Sequence, residues 1–111
     1  MTRLYIIRHG EVESGGLYYG HRDVPLSERG RRQLERVAAA LAELELAAVY
    51  SSDLARAVDS ARPIAASHGL EPGPDPAFRE MHLGVLEGLA HAEVGRRHPE
   101  LAGKRYEDMW D

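Results

Sequence analysis

The sequence predicts an α/β fold: a three-layer α/β/α sandwich with a mostly parallel sheet, incomplete at its carboxyl end. Three observations carry that expectation. Short runs of β-formers alternate with longer stretches of helical apolar periodicity, the order that gives parallel strands joined by right-handed crossovers. The first of these runs lacks polar alternation, as a strand covered by helices on both faces does. Only two such runs stand out in 111 residues, whereas a parallel sheet needs partners at both edges. Either further strands hide in the last forty or so residues, where nothing after residue 90 resembles one, or the chain is part of a larger domain.

The first element is Arg3-Leu4-Tyr5-Ile6-Ile7, which ends at Gly10 and reads as a strand buried on both faces. Glu13-Ser14-Gly15-Gly16 is a loop, and Asp23-Val24-Pro25-Leu26 an extended entry to a helix. Ser27 is placed as its N-cap. Leu34, Val37, Leu41 and Leu44 then recur at helical spacing, which predicts a helix over about residues 28–45. Ala47-Ala48-Val49-Tyr50-Ser51 is a second strand, and Ser52 or Asp53 is positioned to cap a second helix. The buried face of that helix is Leu54, Ala57, Val58, Ala61, Ile64 and Ala65. Pro63 falls inside it and removes a backbone donor, so a kink or break is expected there. Gly69, after His68, supplies a left-handed terminator. Residues 71–76 hold three of the six prolines and read as a loop or short edge strand. Residues 89–97 look helical, and the polar end of the chain carries an isolated Trp110. No repeat interrupts the pattern, and residues 1–111 are read as a single domain.

Composition narrows the function classes. A chain 43% apolar and 29% charged has the make-up of a soluble globule. Its longest apolar runs are a handful of residues, against the ~20 that cross a bilayer, so no membrane partner is expected. The amino terminus lacks the order of a secretion signal, which makes the cytoplasm the expected location. The absence of cysteine excludes disulfides, iron–sulfur clusters and thiolate zinc sites. His9, His21, His68, His82, His91 and His98 show no His-Glu-x-x-His spacing, and there is no P-loop. No metal or other cofactor is expected. The net charge of −4 argues against nucleic acid as a partner. All the basic residues except Lys104 are Arg, which fits either a GC-rich coding sequence or bidentate grip on phosphate or carboxylate. Arg31-Arg32, Arg96-Arg97 and Lys104-Arg105 read as solvated faces.

Chemistry is concentrated at the strand ends. Arg8-His9-Gly10-Glu11 directly follows the first strand, and open α/β sheets bind ligands beyond the carboxyl ends of their strands. Neutral imidazole can carry a phosphoryl group covalently, and guanidinium groups neutralise the non-bridging oxygens. Taken alone, a His at a strand end is more often structural. Ser51-Ser52-Asp53-Leu54-Ala55-Arg56-Ala57 adds an Arg just after the second strand, and if the two strands are parallel neighbours, Arg8 and Arg56 come from one edge of the sheet and can converge on one anion. The alternative makes Arg56 a solvated first-turn residue opposing the helix dipole. Glu80 lies among apolar neighbours, where partial burial suits a general acid; a surface Glu in an irregular loop is the plainer reading.

Taken together, Arg8-His9-Gly10-Glu11, the stretch from Gly20-His21-Arg22-Asp23 to Ser27-Glu28-Arg29-Gly30, Ser51 to Ala57, and Arg79-Glu80 through Glu87-Gly88 resemble the histidine phosphatase family. That family includes the cofactor-dependent phosphoglycerate mutases, and the motifs follow in family order over essentially the whole chain. The resemblance implies that His9 is the phosphorylated nucleophile, Arg8 and Arg56 the phosphate clamp, and Glu80 the acid that protonates the leaving oxygen. It implies a small phosphorylated substrate and no metal. A second pocket His, in a later His-Gly pair, has no counterpart here, since His68-Gly69 closes a helix. The sequence thus resembles the amino-terminal part of such a domain. An Asn that often touches phosphate is absent too, and Ser14 is the available substitute. The acid window reads Glu80-Met81-His82-Leu83-Gly84 where mutases show Glu-Arg-His-Tyr-Gly, which disfavours a mutase. Tyr18-Tyr19-Gly20 and His82 look more like the α-ribazole phosphatase branch, with Gly20 and His82 on the substrate side. Mutase activity and a non-catalytic phosphate-binding remnant stay open as alternatives. A homodimer is one way to cover exposed strand edges.

Overall fold

A computed structural model of the chain describes residues 2–80, 82–83 and 87–100. Met81, Gly84, Leu86, Lys104-Arg105 and Trp110 lie outside the described residues. The fold is α/β, and the chain divides into two compact units, Met1–Glu13 with Asp23–Arg79 and Ser14–Arg22 with Glu80–Asp111.

The first unit holds helix α1 (Glu28–Leu41), strand β1 (Val49–Ser51), helix α2 (Ala55–Ala66) and strand β2 (Pro72–Pro74). The strands pair in parallel, with Val49 opposite Pro72, Tyr50 opposite Gly73 and Ser51 opposite Pro74. Leu34, Ala38 and Ile64 form the core, packed by Val37, Leu41, Leu46 and Val49. Ser27 caps α1 as expected, its hydroxyl oxygen accepting the Gly30 N–H at 3.0 Å.

α1 stops at Leu41, short of the expected residue 45. The Ala42 N–H turns to Ala39 O, Leu44 N–H turns to Leu41 O, and the Leu44 carbonyl is taken by His68 Nε2 at 2.8 Å. The end of α2 therefore captures the chain that leaves α1. α2 starts without a cap from Ser52 or Asp53; Leu54 is its N-cap residue and contributes no side-chain bond. A distant carboxylate fills the role, with Asp23 Oδ1 accepting the Ala55 N–H at 2.7 Å. Asp53 instead takes Arg79 through two bonds of 2.6 Å.

α2 runs through Pro63 without the break that was one of the two outcomes expected there. Proline removes a single donor, and the burial of Ala61, Ile64 and Ala65 around it holds the turn in place. Gly69, at φ +66°, ends the helix region, with the Leu70 N–H returning to Ala65 O at 2.9 Å.

The largest departure is the first segment. Leu4 and Ile6 are 83% and 88% exposed, where a doubly buried strand was expected. The described sheet has two strands, β1 and β2, and residues 3–7 are not one of them. A strand of that composition is buried when it has neighbours at both edges and helices on both faces, and in the described sheet it is not paired. Immediately after it the backbone is tightly held. A Cβ on Gly10 would lie 2.6 Å from both Gly30 O and Leu34 Cδ2, so only glycine permits this approach to α1.

The second unit is built on Leu83 and Val94, packed by Tyr18 and Leu89. Its helix α3 spans His91–Arg97. Leu17 and Ala90 form an antiparallel bridge, flanked by Tyr18 N–H to Leu89 O at 2.8 Å. Arg31, Arg32, Arg96 and Arg97 are exposed as expected. Arg31 pairs with Asp59, Arg32 with Glu28 and Arg97 with Glu93, loose surface pairs of little energetic weight. Among the described residues no helix is long and apolar enough to cross a membrane.

Candidate active site

The nucleophile candidate is held by its own backbone. His9 is half-buried, and its Nδ1 lies 2.7 Å from the Gly10 carbonyl oxygen. A carbonyl oxygen only accepts, so Nδ1 carries the proton, and in the neutral ring the lone pair sits on Nε2. The neighbouring backbone is tied to α2: the Gly10 N–H donates to Ser60 Oγ at 3.0 Å, and the Ser60 hydroxyl donates to the Arg56 carbonyl at 2.6 Å. A two-bond link therefore fixes the His9-Gly10 turn to the first turn of α2, which carries Arg56.

Arg56 is 2% exposed, which removes the reading of it as a solvated helix residue. A guanidinium buried at a helix start loses hydration and opposes the local dipole. Arg8 is exposed. The chain beyond His9 is pinned to α1, with the Glu11 N–H on Gln33 Oε1 at 2.9 Å and the Ser27 hydroxyl on Glu11 Oε2 at 2.7 Å. Ser60 was not legible as a site residue; its only signal is its place one helical turn after Arg56.

The remaining site residues, Ser14, Gly20, Glu80 and His82, lie in the second unit. Ser14 closes a turn, its carbonyl accepting the Leu17 N–H at 3.1 Å over Gly15 and Gly16, both at positive φ. Glu80 is exposed, which corrects the expected partial burial: its apolar sequence neighbours do not enclose it. His82 is exposed and meets His21 edge to face, with ring centroids 4.8 Å apart. His21 Nε2 lies 2.7 Å from the Glu80 carbonyl and, as the only member able to donate, bonds to it.

Gly20 is buried, and its N–H meets both oxygens of Glu87 at 3.0 and 3.2 Å. The same carboxylate accepts the N–H groups of His21 at 2.7 Å, Arg22 at 3.2 Å and Leu83 at 3.3 Å. Glu87 had no assigned role in the sequence. Its signal was a carboxylate beside Gly88, whose φ of +79° marks a tight turn.

Burial by itself pushes the Glu87 carboxyl up, but the N–H groups of His21, Gly20, Leu83 and Arg22 together outweigh it. Glu87 is thereby held below its ordinary value of 4.5. A depressed folded-state value means that its contribution to stability is fully present above pH 4.5 and is lost as the pH falls through the folded value. In an acid titration followed by amide NMR, the Gly20, His21, Arg22 and Leu83 signals are expected to move together, with one midpoint below pH 4.5. Independent midpoints would contradict the shared carboxylate. Among the described residues, no group of three or more His, Asp or Glu is placed to hold a metal ion.

Comparison with known proteins bears on this arrangement. The model of the histidine phosphatase superfamily (branch 1) matches residues 4–111. Phosphoglycerate mutase-like protein 4 of Arabidopsis thaliana is 43% identical over 103 residues, covering 89% of this chain and 45% of that protein. Glucosyl-3-phosphoglycerate phosphatase of Mycobacterium tuberculosis is 37% identical over 99 residues, covering 87% of this chain and 44% of the other. The structure of mycobacterial glucosyl-3-phosphoglycerate phosphatase with VO3 superposes with a TM-score of 0.77 at 36% identity, over 82% of this chain and 44% of that one. The alpha-ribazole phosphatase of Shigella flexneri gives 0.78 at 32% identity, over 85% and 48%. The chain thus spans a little under half the length of the relatives it matches.

Proposed function

The chain belongs to the histidine phosphatase superfamily, and from that premise we propose that it serves as a metal-independent phosphomonoesterase acting on a small phosphorylated metabolite in the cytoplasm. Both compact units belong, in this reading, to one domain. The observation that carries it is the tautomer fixed by the 2.7 Å contact between His9 Nδ1 and the Gly10 carbonyl, which puts the attacking lone pair on Nε2.

The reaction has two steps. Nε2 of His9 attacks phosphorus, the ester P–O bond breaks, and the Glu80 carboxyl gives its proton to the leaving oxygen. Water then attacks the phosphohistidine, the P–N bond breaks, and the Glu80 carboxylate takes the water proton as phosphate departs. Arg56 and Arg8 balance the charge on the non-bridging oxygens in both steps. Gly20, Ser14 and His82 contribute to the substrate side. The two-step route replaces one difficult displacement by two easier ones.

The α-ribazole phosphatase-like branch remains the substrate assignment favoured by Tyr18-Tyr19-Gly20 and His82, and it draws support from the Shigella flexneri phosphatase likeness. Phosphoglycerate mutase activity is the second reading, favoured by the name of the Arabidopsis thaliana relative. A non-catalytic phosphate-binding remnant is the third.

The test is intact-mass analysis of protein mixed with p-nitrophenyl phosphate and quenched in base. One acid-labile, base-stable phosphoryl group on the peptide carrying His9 is expected, and none in His9→Ala. Labelling of the His9→Ala protein would remove His9 from its role. Phosphate binding without any labelling would favour the remnant.

A further inference from the structure

The carboxylate of Glu87 is the hub of the second unit, and its bonds lead to one place. Its oxygens gather the N–H groups of three successive residues, Gly20, His21 and Arg22, together with that of Leu83. A carboxylate that accepts several backbone donors fixes the position of each, much as a bound anion organises a nest of N–H groups. The central member of the three, His21, is fixed most closely, at 2.7 Å. Its ring then reaches the Glu80 carbonyl, also at 2.7 Å, and lies against His82.

Glu80 is exposed, and neither it nor the described residues beside it, Arg79, His82 and Leu83, lie in a helix or strand. The His21 ring is a tether from outside that segment. Gly88 adds to the rigidity of the hub. A Cβ there would strike the Arg22 guanidinium, and the Gly88 N–H bonds Tyr18 O at 3.0 Å.

We propose that Glu87 is a positioning residue: through the backbone of His21 and the bond from the His21 ring to Glu80, it sets where the Glu80 carboxyl stands. The inference rests on the reading of Glu80 as the acid that protonates the leaving oxygen. Glu87 itself touches no reacting atom. Glu87→Gln removes the charge and turns an amide N–H₂ toward backbone donors, so the hub loses acceptors where it needs them.

The test uses two substrates that differ in their need for an acid. An alkyl phosphate has a poor leaving group and needs the proton; p-nitrophenyl phosphate has a good one and does not. A positioned general acid contributes about 10²–10⁴-fold. In single-turnover phosphorylation of His9, the step in which the leaving groups differ, Glu87→Gln is expected to lose about 10²-fold with the alkyl ester and only a few-fold with the aryl ester. Glu80→Gln should show the same selectivity, and the double variant should lose little more than Glu80→Gln alone.

An equal loss on both substrates in Glu87→Gln would mean a merely structural role and overturn the proposal. Selective loss in Glu80→Gln but not in Glu87→Gln would overturn it while leaving the acid in place. Absence of selectivity in Glu80→Gln would remove the acid reading itself, and the proposal with it. A second measurement reads the tether without turnover: the Glu80 carbonyl ¹³C resonance is expected to move in both Glu87→Gln and His21→Ala. An unmoved resonance in either variant overturns the proposal.

Discussion

Replacing Arg56 with Met is expected to slow phosphorylation of His9 by about 10²–10³-fold, the usual loss when one preorganised donor to developing charge is removed. The size follows from burial. At 2% exposure the guanidinium acts with little water to screen it, and its turn of α2 is tied to Gly10 through Ser60. Met keeps most of the stem volume, so the variant separates charge from packing. Arg56→Lys should recover only part of the rate, because an ammonium lacks the planar fork that grips two phosphate oxygens. Single-turnover labelling gives the rates, and circular dichroism reports whether each variant is folded. A folded Arg56→Met protein labelled within a few-fold of the parent rate would show that Arg56 is buried for another reason.

Leu34→Ala is expected to cost about 2–5 kcal/mol of stability, measured by urea unfolding. Leu34 is the largest fully buried side chain among the described residues, and its core partners Ala38 and Ile64 are few. So small a core has little material to collapse into a cavity. The loss should also reach the site, since Leu34 Cδ2 occupies the space a Gly10 Cβ would need and thereby helps define the turn that carries His9. A cost below about 1 kcal/mol would mean that the core relaxes around the deletion.

The sequence was most legible where a local rule decides the outcome. Ser27 before a helical apolar pattern is a cap, and it caps. Gly69 after His68 ends a helix, and it does. The order of elements led to an α/β fold, because period and connection length are local properties. The position of Arg56 just after β1, at the start of α2, was also read from the order of elements.

What was hidden depends on long-range geometry. No pattern says that Asp23 will cap α2, since its acceptor role is set by where two distant segments meet. Ser60 and Glu87 are equally plain in sequence, and each acquires meaning only through backbone groups many residues away. The run at residues 3–7 fails in the opposite way. Its apolar character predicts burial, whereas Leu4 and Ile6 are exposed and the run lies outside the described sheet. At Pro63 the expectation of a break left out the packing that surrounds the residue.

The most direct test of the account is the position of the phosphoryl group on the trapped protein, read by ¹H–³¹P and ¹⁵N NMR. The account predicts a phosphoramidate at Nε2 of His9, with the Nδ1 proton still bonded to the Gly10 carbonyl. Phosphate on Nδ1, or on any other residue, would contradict it.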